Sequence, residues 1–150
     1  MNDELSVEMI PFHPEHVKLM EIREFELKGI FAFEKAWEGL VRLHKVTIAL
    51  TICYDGRILG CMGFLEMWPG VCEVWVIPSK HIEHYGLIFA RAVKKNLERL
   101  IETHRLHRVQ VTAVDDAKHK RWLEWLGFTC EGVMKNYSYQ KQDFKMWSRT

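Results

Sequence analysis

Apolar residues recur along this chain with two periods, and the switches between them predict its order of elements. Residues 4–10 alternate and predict a first strand. "HPEHVKLMEIREFELKG" (13–29) follows with helical spacing, Pro14 in its first turn and Gly29 as its stop. "AFEKAWEGLVRLH" predicts a second helix. "KVTIALTICYDGRILGCMGFLEM" is two β-rich runs joined at Asp55-Gly56, a hairpin turn pair. "WPG" at 68–70 breaks the chain, and "VCEVWVI" resumes as a strand ending at Pro78. Gly86, Ala90, Val93, Leu97 and Leu100 then recur at intervals of three and four, the buried stripe of a long helix. "RVQVTAV" alternates as a strand, and "DAKHKRWLEWLGF" is a short helix ended by Gly127. "FTCEGVM" and "DFKMWS" supply two last strands around a polar turn at 136–142. The order β-αα-βββ-α-β-α-ββ predicts an α/β fold, a mixed sheet flanked by helices.

Composition narrows the function more than the fold. The chain has 150 residues and shows no repeat or composition break, which predicts a single domain over 1–150. Lys plus Arg number 21 against 20 Asp plus Glu, so no net field draws the chain to nucleic acid or to a membrane surface. Cys53, Cys61, Cys72 and Cys130 form no C-x-x-C pair, and three of them fall in apolar strand-like runs, as expected of reduced thiols. "MNDELSVEMI" lacks the basic start and apolar stretch of a signal peptide. No apolar run approaches the roughly 20 residues of a membrane span. The expectation is a soluble intracellular protein.

Residues 73–100 carry the first chemical hint. A strand that turns into a helix N-terminus is where many proteins hold a phosphate, because main-chain N–H groups converge there. Ser79, Lys80 and His81 occupy that turn.

The element order, together with "WLGFTCEGVMKNYSYQKQDFKMWSR" at its end, resembles the GNAT superfamily of acyl-CoA N-acyltransferases. The matching residues are Leu126-Gly127-Phe128, then Glu131-Gly132, then Trp147 and Arg149 on the last strand. "YDGRILGCMGF" matches the family's Asp-Gly hairpin, and Val76-x-Pro78 its fourth strand followed by proline. Within the superfamily, "MWPGVCEVWVI", "HRVQVTAV" and "WLEWLGF…EGVMKNY" are similar to small GNAT-like proteins of tailed bacteriophages, a group that includes an internal virion protein of short-tailed phages.

The resemblance implies an acetyl-CoA site and assigns residues to it. The family's Gln/Arg-x-x-Gly-x-Gly/Ala loop, whose amides cradle the coenzyme A pyrophosphate, falls on His81, His84 and Gly86, and only Gly86 fits the pattern. Ser79, Lys80 and His81 remain as donors and charge. The fourth strand should splay from the fifth, leaving amides of Trp75, Val76 and Ile77 to hold the pantetheine and polarise the thioester carbonyl. Glu73 on that strand is the implied base for the incoming ammonium, with Glu66 on the preceding strand as a second candidate. The tyrosine that protonates the departing thiolate in many members is replaced here by Leu123; Tyr137 and Tyr139 are the substitutes to consider. The Asn that often opens the same helix is matched by Asp116.

Plainer roles compete for several of these residues. His13 and His16, His81 and His84, and His104 and His107 stand three apart, but no cysteine or acidic set completes a metal site. Trp122 and Trp125 suit core packing better than base stacking. Arg91, Lys94, Lys95 and Arg99 form a basic stripe of the kind that covers a solvated helix face. Two functions stay open at this point. One is an N-acyltransferase acting on an amine of a small molecule or protein, in a host cytoplasm. The other is a GNAT fold kept without catalysis as a structural or interaction module among phage virion proteins.

Overall fold

The computed structural model describes residues 6–23 and 35–150. Its elements follow the predicted order: β1 (Glu8–Pro11), α1 (Pro14–Leu19), α2 (Ala36–Val46), β2 (Ile48–Tyr54), β3 (Arg57–Trp68), β4 (Val71–Pro78), α3 (Ile82–Thr103), β5 (Arg108–Val114), α4 (Ala117–Trp125), β6 (Thr129–Met134) and β7 (Phe144–Arg149). They build one seven-stranded sheet in the order β1-β2-β3-β4-β5-β7-β6. All neighbours are antiparallel except β4 and β5, which the α3 crossover joins in parallel.

The pleat divides the apolar side chains into two cores. Met62, Phe64, Val74, Val109 and Trp147 face α3 and α4, where they meet Phe89, Val93, Leu97 and Leu123. Cys61 and Ile77 face the other way, onto Phe12, Val17, Met20 and Leu40 of the α1–α2 layer. Burial pushes the Cys61 thiol up to about 12, which makes it an inert part of that core. On the same face the Trp75 indole lies directly over Gly63, where any Cβ would collide with its ring. Gly63 is therefore a packing residue, set by the tryptophan across the ladder.

Local signals explain the turns. Asp55 and Gly56 both have positive φ (51° and 68°), the two-residue hairpin turn expected of this pair. At the end of α4, Gly127 has φ 92°. Its N–H donates to the Glu124 carbonyl at 3.0 Å and the Phe128 N–H to the Leu123 carbonyl at 2.9 Å, a Schellman closure.

The first helix is shorter than the sequence pattern suggests. It opens with a histidine capping box: His13 Nδ1 accepts from the Glu15 amide and His16 Nδ1 from the His13 amide, both at 3.1 Å. It stops at Leu19 rather than running on toward Gly29, which lies outside the described residues. Met20 is extended (φ −83°, ψ 155°) and buried, and Ile22 forms a β-bridge with Ser79. Met20, three after Val17 in helical spacing, and Ile22 are instead drawn onto the sheet. No helix among the described residues is long and apolar enough to cross a membrane.

Candidate active site

β4 and β5 are neighbours only at their base. They pair at Val71 with Arg108, Cys72 with Val109 and Glu73 with Gln110; beyond that the strands separate toward Pro78. A fork of this kind leaves main-chain groups without strand partners, inside a sheet that is otherwise continuous.

Which amides enter the fork follows from the pleat. The Ser79 N–H donates to the Leu59 carbonyl at 2.8 Å. Alternation along an antiparallel ladder then directs the amides of Ile77, Trp75 and Glu73 to β3, and those of Val76, Val74 and Cys72 to β5. The bond from the Arg108 N–H to the Gly70 carbonyl, 3.2 Å, gives the same phase from the other side. The Val74 amide falls within the last paired step, so the first amide beyond the ladder is that of Val76. Of the three expected donors, Val76 alone points into the fork. The expectation for Trp75 and Ile77 is corrected: the neighbouring strand, invisible to strand-four sequence by itself, takes their N–H groups. A small apolar cavity of about 20 Å³ adjoins this region, lined by Val74, Val76, Val111, Trp122 and Leu123 among others. It has room for roughly one water. Leu123 thus faces the strands of the fork with a side chain that has no proton to give.

Glu73 stands at the root of the fork, half-buried, on the face that carries Trp75. Gln110 Nε2 donates to its Oε1 at 3.3 Å. Glu66 is separated from it. It pairs with Cys72, lies beyond the base of the fork and is exposed, on the face that carries Phe64 and Val74. It shares no site with Glu73, and the physical reason is the pleat: residues an odd number apart across this register show opposite faces. Tyr137 sits in the turn between β6 and β7, its ring 5.3 Å from that of Phe144. Phe144 pairs with Val114, so Tyr137 lies at the end of the sheet toward which the fork opens, beyond β5 on the side away from β4, and is half-exposed. Tyr139 is more exposed, at 72%.

The turn from β4 to α3 does not offer a free amide nest. Ser79 is fully buried, and its Oγ accepts from the His81 N–H at 3.2 Å. The Lys80 N–H donates to the Glu21 carbonyl at 2.7 Å, and the Lys80 ammonium pairs with the Glu21 carboxylate. The amides of Ile82, Glu83, His84 and Tyr85 donate to the carbonyls of Ser79, Lys80, His81 and His81. Only after the non-helical Tyr85 (φ −112°, ψ 29°) does the long part of α3 begin, at Gly86. Space around Gly86 is open, since a Cβ there would meet nothing within 4 Å. The coenzyme fit is therefore divided. The fork turns the Val76 amide to where a pantetheine arm would lie; the amides from Lys80 to Tyr85 are engaged within the chain and leave none for a pyrophosphate.

Other candidates take structural places. Asp116 is the N-cap of α4, accepting from the His119 amide at 2.7 Å and from its ring at 2.8 Å. Burial works against its charge, yet these bonds hold the carboxyl below its usual range. Lys94 lies over the Trp125 ring at 4.5 Å. Among the described residues no group of three His, Cys, Asp or Glu is placed to hold a metal ion.

What sequence reading missed is a line of polar side chains across the sheet. Arg108 Nε donates to Gln110 Oε1 at 3.0 Å, and its two terminal nitrogens grip Glu131 at 2.7 and 2.6 Å. Ser148 Oγ donates to Glu131 Oε2 at 2.6 Å. Bonds from Arg108 and Ser148 hold the Glu131 carboxyl down at about 2. The alternation Arg108-x-Gln110 was a signal for one polar face, but its partners come from three other strands.

Comparison with solved structures bears on the fold. A spermidine N-acetyltransferase from Vibrio cholerae, in complex with CoA and spermine, superposes with a TM-score of 0.73 at 17% identity, covering 95% of this chain and 94% of that one. A putative acetyltransferase from Acinetobacter baylyi gives 0.74 at 13% identity, over 97% and 93% of the two chains. A RimL protein acetyltransferase in complex with coenzyme A gives 0.68 at 14% identity, over 96% and 93%. No protein-family model and no curated protein matches the sequence. The chain shares the GNAT fold of these structures.

Proposed function

We propose that this chain is a divergent N-acyltransferase that moves an acetyl group from acetyl-CoA to an amine acceptor. The observation that carries the reading is the fork: a parallel pair that ends after three residues, with the Val76 amide facing its opening and a carboxylate at its root. The Val76 N–H would bond the thioester end of the ligand, where negative charge develops on the carbonyl oxygen. Glu73 would take the proton that an ammonium must lose before its nitrogen can attack. Bound acetyl-CoA supplies the acetyl group as an activated thioester. The half-exposed Tyr137, at the end of the sheet toward which the fork opens, is the hydroxyl we assign to the departing side.

A second reading has its own observations. The engaged amides of 82–85 and the leucine at 123 favour a GNAT fold that has lost catalysis and serves as an interaction module, which the phage resemblance would set in a virion. The test is direct: the purified chain, acetyl-CoA and a panel of small amines and peptide N-termini, with release of free thiol followed. Acceptor-dependent thiol release supports the transferase. Its absence across the panel, with no binding of CoA, leaves the module.

The Lys80–Glu21 pair makes a narrower prediction. Both side chains are about half exposed, at 56% and 54%, so the pair itself contributes little stability. Glu21→Gln frees the ammonium for a phosphate. It should tighten CoA binding by at most about fivefold, and the gain should vanish at high salt. Titration at two salt concentrations checks this; weaker binding in the variant would show that Glu21 shapes the turn instead.

A further inference from the structure

We propose that Gln110 is a positioning residue for Glu73, and that Arg108, locked by Glu131 and Ser148, sets which face of its amide the carboxylate meets. This rests on the acyltransferase reading above and adds to it a part of the machinery on the fifth strand.

A glutamine presents an acceptor on one side and two donors on the other, and its neighbours decide which way it turns. Arg108 Nε is a permanent donor and lies 3.0 Å from Gln110 Oε1. Flipping the amide would set two donors against each other. Gln110 therefore turns its NH₂ toward Glu73, at 3.3 Å from Oε1. The guanidinium cannot swing to Glu73 itself, because both of its terminal nitrogens are held by Glu131 in a two-pronged pair. Ser148, across the ladder from Gln110, closes the line from β7.

The consequence is chemical. The charge of Arg108 goes to Glu131, and Glu73 receives a neutral donor on one oxygen. A carboxylate paired directly with a guanidinium gives up much of its tendency to take a proton. One held by an amide keeps an oxygen for the incoming ammonium and stays fixed in direction. Leu65 pairs with Glu73 on the β3 side, and the charged groups along this polar line are Arg108 and Glu131.

Gln110→Met keeps the shape and removes the donor. Two readouts are taken on wild type and variant: the carbon-13 resonance of the Glu73 carboxyl at neutral pH, and kcat and KM for amine acetylation. The variant should move that resonance and lower kcat about tenfold, with KM for the amine little changed. CoA affinity and thermal midpoint should stay close to wild type. Arg108→Met, which leaves Gln110 in place but unpinned, should move both readouts in the same direction by less. An unmoved resonance and an unchanged kcat in Gln110→Met overturn the proposal. A wild type that acetylates no amine overturns the transferase reading and with it a catalytic use of this contact. A moved resonance in that protein would then trace the failure to that reading, since the contact itself is present.

Discussion

Replacing Glu73 with glutamine should lower turnover by about a hundredfold or more while leaving acetyl-CoA binding nearly intact. The substitution keeps the size of the side chain and removes only its capacity to accept a proton. Glu73 sits in the last paired step between β4 and β5, so it is near the fork without lining the part that would enclose the ligand. A glutamine there can still accept from Gln110 through its own carbonyl oxygen. Binding should therefore survive and chemistry should not. Steady-state kinetics of the variant, with CoA titration beside it, make the separation. Wild-type turnover would move the base to a water chain, since Glu66 shows the opposite face of the sheet at the far end of β4.

Gly127→Val should be among the most damaging single changes to the fold, costing on the order of 1–3 kcal/mol. Gly127 holds φ at 92°, a conformation that a β-branched residue resists strongly. Its amide and that of Phe128 close the end of α4, so the residue cannot relax without freeing two carbonyls. The new side chain would also press on Arg149, whose chain passes 3.4 Å from the position of a Cβ and whose Nη1 donates to the Leu126 carbonyl at 3.1 Å. Arg149 is flexible and can yield, so most of the cost falls on the backbone. A thermal melt decides the matter, and an unchanged midpoint would mean that the closure contributes nothing.

These two residues differ in how far the sequence alone exposes them. The Gly127 turn and the Asp55-Gly56 hairpin are local events, set by residues adjacent in the chain, and both were legible. The parting of β4 and β5 was implied by the family resemblance. The end of α1 was not legible, because Met20 stands three after Val17 in helical spacing and only contact with the sheet pulls the chain straight. The site was legible in outline and not in detail. Whether Trp75, Val76 or Ile77 offers its amide depends on the phase of pairing with β3, which no residue type on β4 reports. The engagement of Lys80 by Glu21 joins two segments distant in sequence, and the Arg108–Glu131 grip joins β5 to a strand that is not its neighbour. Long-range pairings of this sort leave no periodic trace.

The transferase reading requires the fork to hold an acyl-CoA despite a turn whose amides are already engaged. Isothermal titration of the wild type with acetyl-CoA asks this without any assumption about the acceptor. The fork, built from backbone, should still take the pantetheine arm, while the turn adds little, because Glu21 holds the Lys80 ammonium. Binding with a dissociation constant between roughly 10 μM and 1 mM is the expected result. No heat of binding at millimolar acetyl-CoA would contradict it and leave the GNAT fold as an interaction module.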